Sequence, residues 1–86
     1  MPELQHRSGS SDGERLAACV QNVDTARARL RAARRPGVQS STWHPLRADL
    51  LIALERYAAA ISGAGAPVPR RLRTEIDLYR RLRNIS

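Results

Sequence analysis

The 86-residue sequence predicts an all-α domain: a three-helix bundle or a helical hairpin plus a third helix, with dimerisation as a further way of completing it. Three observations predict this. Apolar residues recur at spacings of three and four over three stretches, which is the pattern of one-sided helices. Pro36-Gly37 and the run from Gly63 to Pro69 part those stretches. No useful length alternates apolar with polar residues, so no strand is expected.

Residues 1–10 are polar with Gly and Ser, and read as a flexible tail. Ser11-Asp12-Gly13-Glu14 then has the form of a capping box, in which a hydroxyl and a carboxylate satisfy backbone N–H groups at a helix start. A first helix over about 12–35 follows, with Leu16, Cys19, Val23, Ala26, Leu30 and Ala33 forming a narrow heptad seam. Arg34 and Arg35 suit the negative end of its dipole, and Pro36-Gly37 stops it.

The second helix is expected over about 43–62, with Pro45 tolerated in its first turn. Trp43, Leu46, Leu50, Leu51, Ala53, Leu54, Tyr57, Ala58 and Ile61 cover an arc of roughly 160°, wider than the first seam, so this helix should be the centre of the fold. Pro69 is placed to begin a third helix over about 69–84. Leu72, Ile76 and Tyr79 line one edge of its apolar face, Leu78, Leu82 and Ile85 the other, and Glu75 falls between them.

Length allows one domain, and a domain this small buries a limited share of its surface. Disulfides, metals and association are the usual reinforcements. Cys19 is the only cysteine, which excludes an internal disulfide. His6, His44 and Cys19 lack the close ligand spacing of a tetrahedral site, so neither metal nor cofactor is expected. Association remains. Residues 1–11 carry no apolar signal stretch, and the apolar run Leu50 to Leu54 is far short of the roughly 20 residues of a membrane span. A cytoplasmic address without membrane contact is the expectation.

The net charge is +7, and every one of the 15 basic residues is arginine. An arginine fork suits phosphate and carboxylate. Lysine is missing from every face alike, however, which fits a GC-rich coding bias better than selection for one site. By helix, the excess is +3 on the first, zero on the second and +4 on the third. Arg27, Arg31, Arg34 and Arg35 form one stripe, and Arg70, Arg73, Arg80 and Arg81 a second, with Asp77 placed to pair with Arg73, Arg80 or Arg81. These eight arginines are the candidate contacts to a partner or to phosphate.

Candidate chemistry is sparse, and no catalytic residue is assigned. Glu75 is the polar residue out of place, and Arg71, one turn earlier, is its expected partner at the edge of the packed seam. His44 and His6 carry no signal, and Cys19 reads as a small apolar seam residue. Ile52 lies on the polar arc of the second helix, in line with Ala48 and Ala59; it is either an interface residue or covered by the first helix.

A non-enzymatic protein–protein interaction module, a regulator or accessory subunit, is the reading these features favour. It includes self-association through the seam of the first helix, giving a homodimer. The alternative is non-specific nucleic-acid binding by the arginine stripes, with an affinity that falls steeply with salt. A helical mutase gripping a dicarboxylate is the third reading, and such a site usually also needs a lysine.

Overall fold

The computed structural model describes the backbone of residues 2–37 and 40–85 and the side chains of residues 12–37 and 41–84. Three helices run in order: α1 (Pro2–Ala33), α2 (Ser40–Gly63) and α3 (Arg70–Ile85). They form an up-down-up arrangement. Ala33 stands beside Trp43 and Cys19 beside Arg56, so α1 and α2 are antiparallel. His44 and Arg83 share a hollow, so α2 and α3 are antiparallel too.

The core is built around α2. Its Leu50, Leu51 and Leu54 are the fully enclosed side chains, each contributing about 1.5–3 kcal/mol on burial. From α1 come Val23, Ala26 and Leu30, and from α3 Leu72 and Ile76, while Ile61 completes the buried set. Leu16 and Tyr79 pack against its margin. The seam of α1 is thus spent on α2 within one chain, and is not the free surface that self-association through it requires.

The helix ends show what stops each element. α2 ends in a paired set of bonds: Ala66 N–H donates to the Ile61 carbonyl at 3.1 Å and Gly65 N–H to the Ser62 carbonyl at 3.0 Å. Gly65 occupies the left-handed region at φ 86°, which this closure requires and a Cβ would oppose. The Pro69 carbonyl accepts from Arg73 N–H at 3.1 Å, so Pro69 is the residue on which α3 starts.

Two boundaries and one helix face differ from expectation. α1 begins at Pro2, so the segment read as a tail continues the helix backbone. Pro2 needs no donor in a first turn, and extending a formed helix adds one hydrogen bond per residue fixed. Asp12, Gly13 and Glu14 therefore lie inside α1 rather than at its start; the Ser11 side chain of the expected cap lies outside the described residues. α2 begins at Ser40, which puts Pro45 beyond the first turn. The missing Pro45 N–H leaves its helical acceptor, the carbonyl of exposed Ser41, to water. On α3, Leu78 is 50% exposed, because the second apolar edge faces away from α2.

The register of the hairpin sets Gly63 opposite the neighbourhood of Asp12, and α1 runs on past it. At about 1.5 Å per residue α1 is about 48 Å long and α2 about 36 Å. The overhang gives extents of 58 × 21 × 16 Å and a radius of gyration of 15.8 Å, where a compact chain of this length has about 12 Å.

Candidate interaction surfaces

Both outer helices pack on α2, yet among the described residues no Cα of α1 comes within 8 Å of one in α3. Between them runs a groove. Its wider part encloses roughly 790 Å³ over Val23, Leu54, Tyr57 and Leu72, with Leu78 on the α3 wall. Its narrower part, roughly 160 Å³, lies among Arg31, Arg34, Leu50 and Tyr79. Arg27 borders both.

At that border Arg27 crosses the groove to Glu75. Its Nη2 donates to Glu75 Oε1 at 2.6 Å and its Nη1 to Oε2, a fork-to-fork pair. The side chains keep 38% and 23% exposure. Hydrogen bonding from Glu75 raises the Arg27 pKa above its ordinary value, against a partial burial that lowers it. Arg27 therefore stays charged at any working pH. The expected Arg71–Glu75 pair is replaced by this one: Arg71 is exposed, and the partner of Glu75 comes from another helix, 48 positions away. Helical spacing reads neighbours on one helix only.

The two arginine stripes do not survive as units. Arg27 is spent on Glu75, and Arg80 donates through Nε at 3.0 Å and Nη2 at 2.6 Å to Glu55 of α2. Asp77, the expected partner of Arg73, Arg80 or Arg81, makes no ion pair among the described residues. Arg34 lies with its guanidinium 5.9 Å from the Trp43 ring centroid. Arg31, Arg35, Arg70, Arg73 and Arg81 are exposed, with no acidic partner among the described residues.

Topology then sorts these arginines in a way that counting along each helix misses. The C-terminal end of α1, the start of α2 and the C-terminal end of α3 meet at one end of the molecule. The Trp43 Nε1–H donates to the Ala33 carbonyl at 2.8 Å and fixes the first two. Tyr79 is shared by the hollows containing Arg34 and Arg83, which brings in the third. Residues 25–48 and 78–86 contain nine arginines and no acid, whereas the rest of the chain has six arginines and eight acids. Thus one end carries +9 and the remainder −2.

Ile52 is 47% exposed, and α1 does not cover it. It borders a shallow hollow between α1 and α2 that also contains Asn22, Asp49 and Arg56, a mixed surface rather than an apolar patch. Cys19 is half-buried, its Sγ 3.9 Å from the Arg56 carbonyl oxygen. His44 is exposed. No described group of three or more His, Cys, Asp or Glu residues is placed to hold a metal ion, and no described helix is long and apolar enough to cross a membrane.

Sequence reasoning missed Glu55 and Tyr79 as members of these surfaces. The acid-free stretch from Thr25 to Ala48 was visible, but only the antiparallel pairing shows what it adjoins. The chain was compared with protein-family models, with curated proteins and with solved structures, and none matches.

Proposed function

We propose that the chain is a non-enzymatic helical interaction module, an accessory or regulatory protein, that receives an amphipathic helix of a protein partner between α1 and α3. One observation carries this reading: two helices share α2 as a support and leave a groove between them, bordered by half-buried Tyr57 and exposed Leu78 above the closed core. Such a trough matches the helix-in-groove mode, in which apolar anchors at positions i, i+3, i+4 and i+7 enter a slot. Leu78, half in water on the wall, would gain about 1–2 kcal/mol when covered.

Glu75 supports the non-enzymatic part. Both of its oxygens accept hydrogen bonds from Arg27, so the groove's carboxylate is engaged in a cross-helix pair. Arg70 and Arg71 at the wide end, with Arg31 and Arg34 at the narrow end, favour a partner helix with acidic flanks. A small core also gains stability from any partner that binds only the folded state.

The test compares proteins captured from the native cell extract by the parent chain and by Leu78→Glu, with Ile52→Glu as a surface control. At least one partner should be lost from Leu78→Glu and retained by Ile52→Glu. An unchanged set of captured proteins, with both variants folded, would sink the groove as the interface. Sedimentation over a concentration series decides whether the helix can come from a second copy. In that case Leu78→Glu turns a dimer into a monomer.

A further inference from the structure

The acid-free end of the bundle forms a second surface, which meets the groove at its narrow part beside Arg31 and Arg34. We propose that it docks on the phosphate backbone of a nucleic-acid duplex. Six arginines converge there from three helices: Arg31, Arg34 and Arg35 from the end of α1, Arg47 from the start of α2, and Arg81 and Arg83 from the end of α3. Of the nine arginines at this end, two are neutralised by Glu75 and Glu55, which leaves seven. The C-terminal dipoles of α1 and α3 offset about one further charge between them, and the α2 N-terminus returns about half of it. The surplus stays large.

The surface is also shaped for phosphate. The hollow of roughly 160 Å³ beside Arg27, Arg31, Arg34 and Tyr79 would seat one phosphate group between two guanidinium groups, those of Arg31 and Arg34, that have no acidic partner among the described residues. Arg34 is steadied by the Trp43 ring beneath it, so less side-chain freedom is lost on binding.

A duplex fits better than a single strand. Binding of unpaired bases relies on free aromatic faces. Trp43, the aromatic residue nearest this end, has its indole N–H bonded to Ala33 and a face under Arg34. Tyr79 packs against the core margin. What remains is a set of cations with no stacking platform, and contacts to phosphate carry no sequence information. The cross-section of 21 × 16 Å faces a polymer with one charge per about 1.7 Å of axis, enough to engage several phosphates at once.

The test is fluorescence anisotropy with a short labelled DNA duplex over a salt series, on the full chain. Two charge-matched variants are compared: Arg31, Arg35 and Arg81→Ala at the basic end, and Arg70, Arg71 and Arg73→Ala towards the other. None of these six has an acidic partner among the described residues, and alanine suits the five positions that are helical, so both variants should fold, as circular dichroism will verify. Log affinity should fall linearly with log salt for the parent chain. The basic-end variant should bind roughly 100-fold more weakly at about 0.1 M salt, with a slope shallower by about 2–3.

The control triple should stay within about threefold. Along α3, Arg81 is about 12 Å from Arg73 and about 16 Å from Arg70. Both distances exceed one Debye length at about 0.1 M salt. A DNA duplex of scrambled sequence and an RNA duplex should bind comparably, since the shared chemistry is the phosphate backbone. No binding at low salt overturns the proposal. Equal losses in the two triples do so as well, because net charge and not location would then be responsible. A tenfold preference for single strands also overturns it. The helix-docking reading is decided separately by Leu78→Glu, a residue outside both triples.

Discussion

At one end of the bundle three helix termini gather nine arginines without an acid; at the other, α1 runs past the end of α2 in a stretch whose charged residues are Glu3 and Arg7. Both ends belong to the same helices, and a tally by helix gives +3, zero and +4 with no hint of the contrast. The antiparallel path produces it, because residues 25–48 are one continuous stretch that turns around at Pro36-Gly37 and so presents both its arms at the same place. Charge that is merely abundant in the sequence becomes polarised in space. Glu55 and Glu75 lie along the length of the bundle between the two ends, where each ties one arginine across a helix interface.

The contrast between the ends depends on the buried middle that holds them in register, and the largest effect is expected there. Leu54→Ala should cost about 3–4 kcal/mol, measured by urea denaturation, since Leu54 has no exposure and contacts cannot collapse around three helices at once. A domain of this length has a total of roughly 4–13 kcal/mol, so the variant should be partly unfolded at physiological temperature. A loss below about 1 kcal/mol would show that α2 is not the shared support.

Glu75→Gln should cost about 1–2 kcal/mol, because it strips the charge from a forked pair that is only partly screened. The same variant frees Arg27, and should strengthen duplex binding at the basic end where the groove narrows. Unchanged stability and unchanged salt slope together would show that the Arg27–Glu75 pair joins nothing. Next comes Trp43→Phe, which removes the indole donor to the Ala33 carbonyl and the larger ring under Arg34. About 1 kcal/mol is expected, with hydrogen exchange accelerating near residues 30–34 before it does elsewhere. Exchange that quickens first at the far end would break the assignment of this contact to the basic end.

Smaller effects sharpen the comparison from the other side. Gly13→Ala lies inside α1 with nothing within 4 Å of the added Cβ, so it should stabilise the chain by about 0.5 kcal/mol and raise its helical signal. A destabilised variant would mean that α1 does not continue through this position. Glu55→Ala should change stability by no more than about 0.5 kcal/mol, since Arg80 is half exposed where the two meet. Its effect should appear instead as tighter duplex binding at low salt, because another arginine at the basic end is released.

Much of the fold was legible before any coordinates. The seam of α1 was read at Val23, Ala26 and Leu30, and all three are buried; the wide arc of α2 identified it as the centre. Helix starts were less legible: a capping sequence at Ser11 and a proline at position 45 each argued for a later start than the one found, since local signals compete with the ease of extending a formed helix. The surfaces were legible only as parts. Spacing marks Glu75 as misplaced and points to Arg71, because one turn of helix is all that spacing can see; Arg27 lies 48 positions earlier.

Taken alone, the sequence determined three helices, their order, the leucines of α2 as the interior and the excess of arginine, because these follow from periodicity and composition over short distances. Tertiary structure decided which arginines are spent on acids, that α1 and α3 stay apart, that Ile52 remains uncovered and that the positive charge collects at one end. Those outcomes depend on which distant residues come within a few ångströms. Packing around Leu50, Leu51 and Leu54 sets that proximity, and no spacing along the chain encodes it directly.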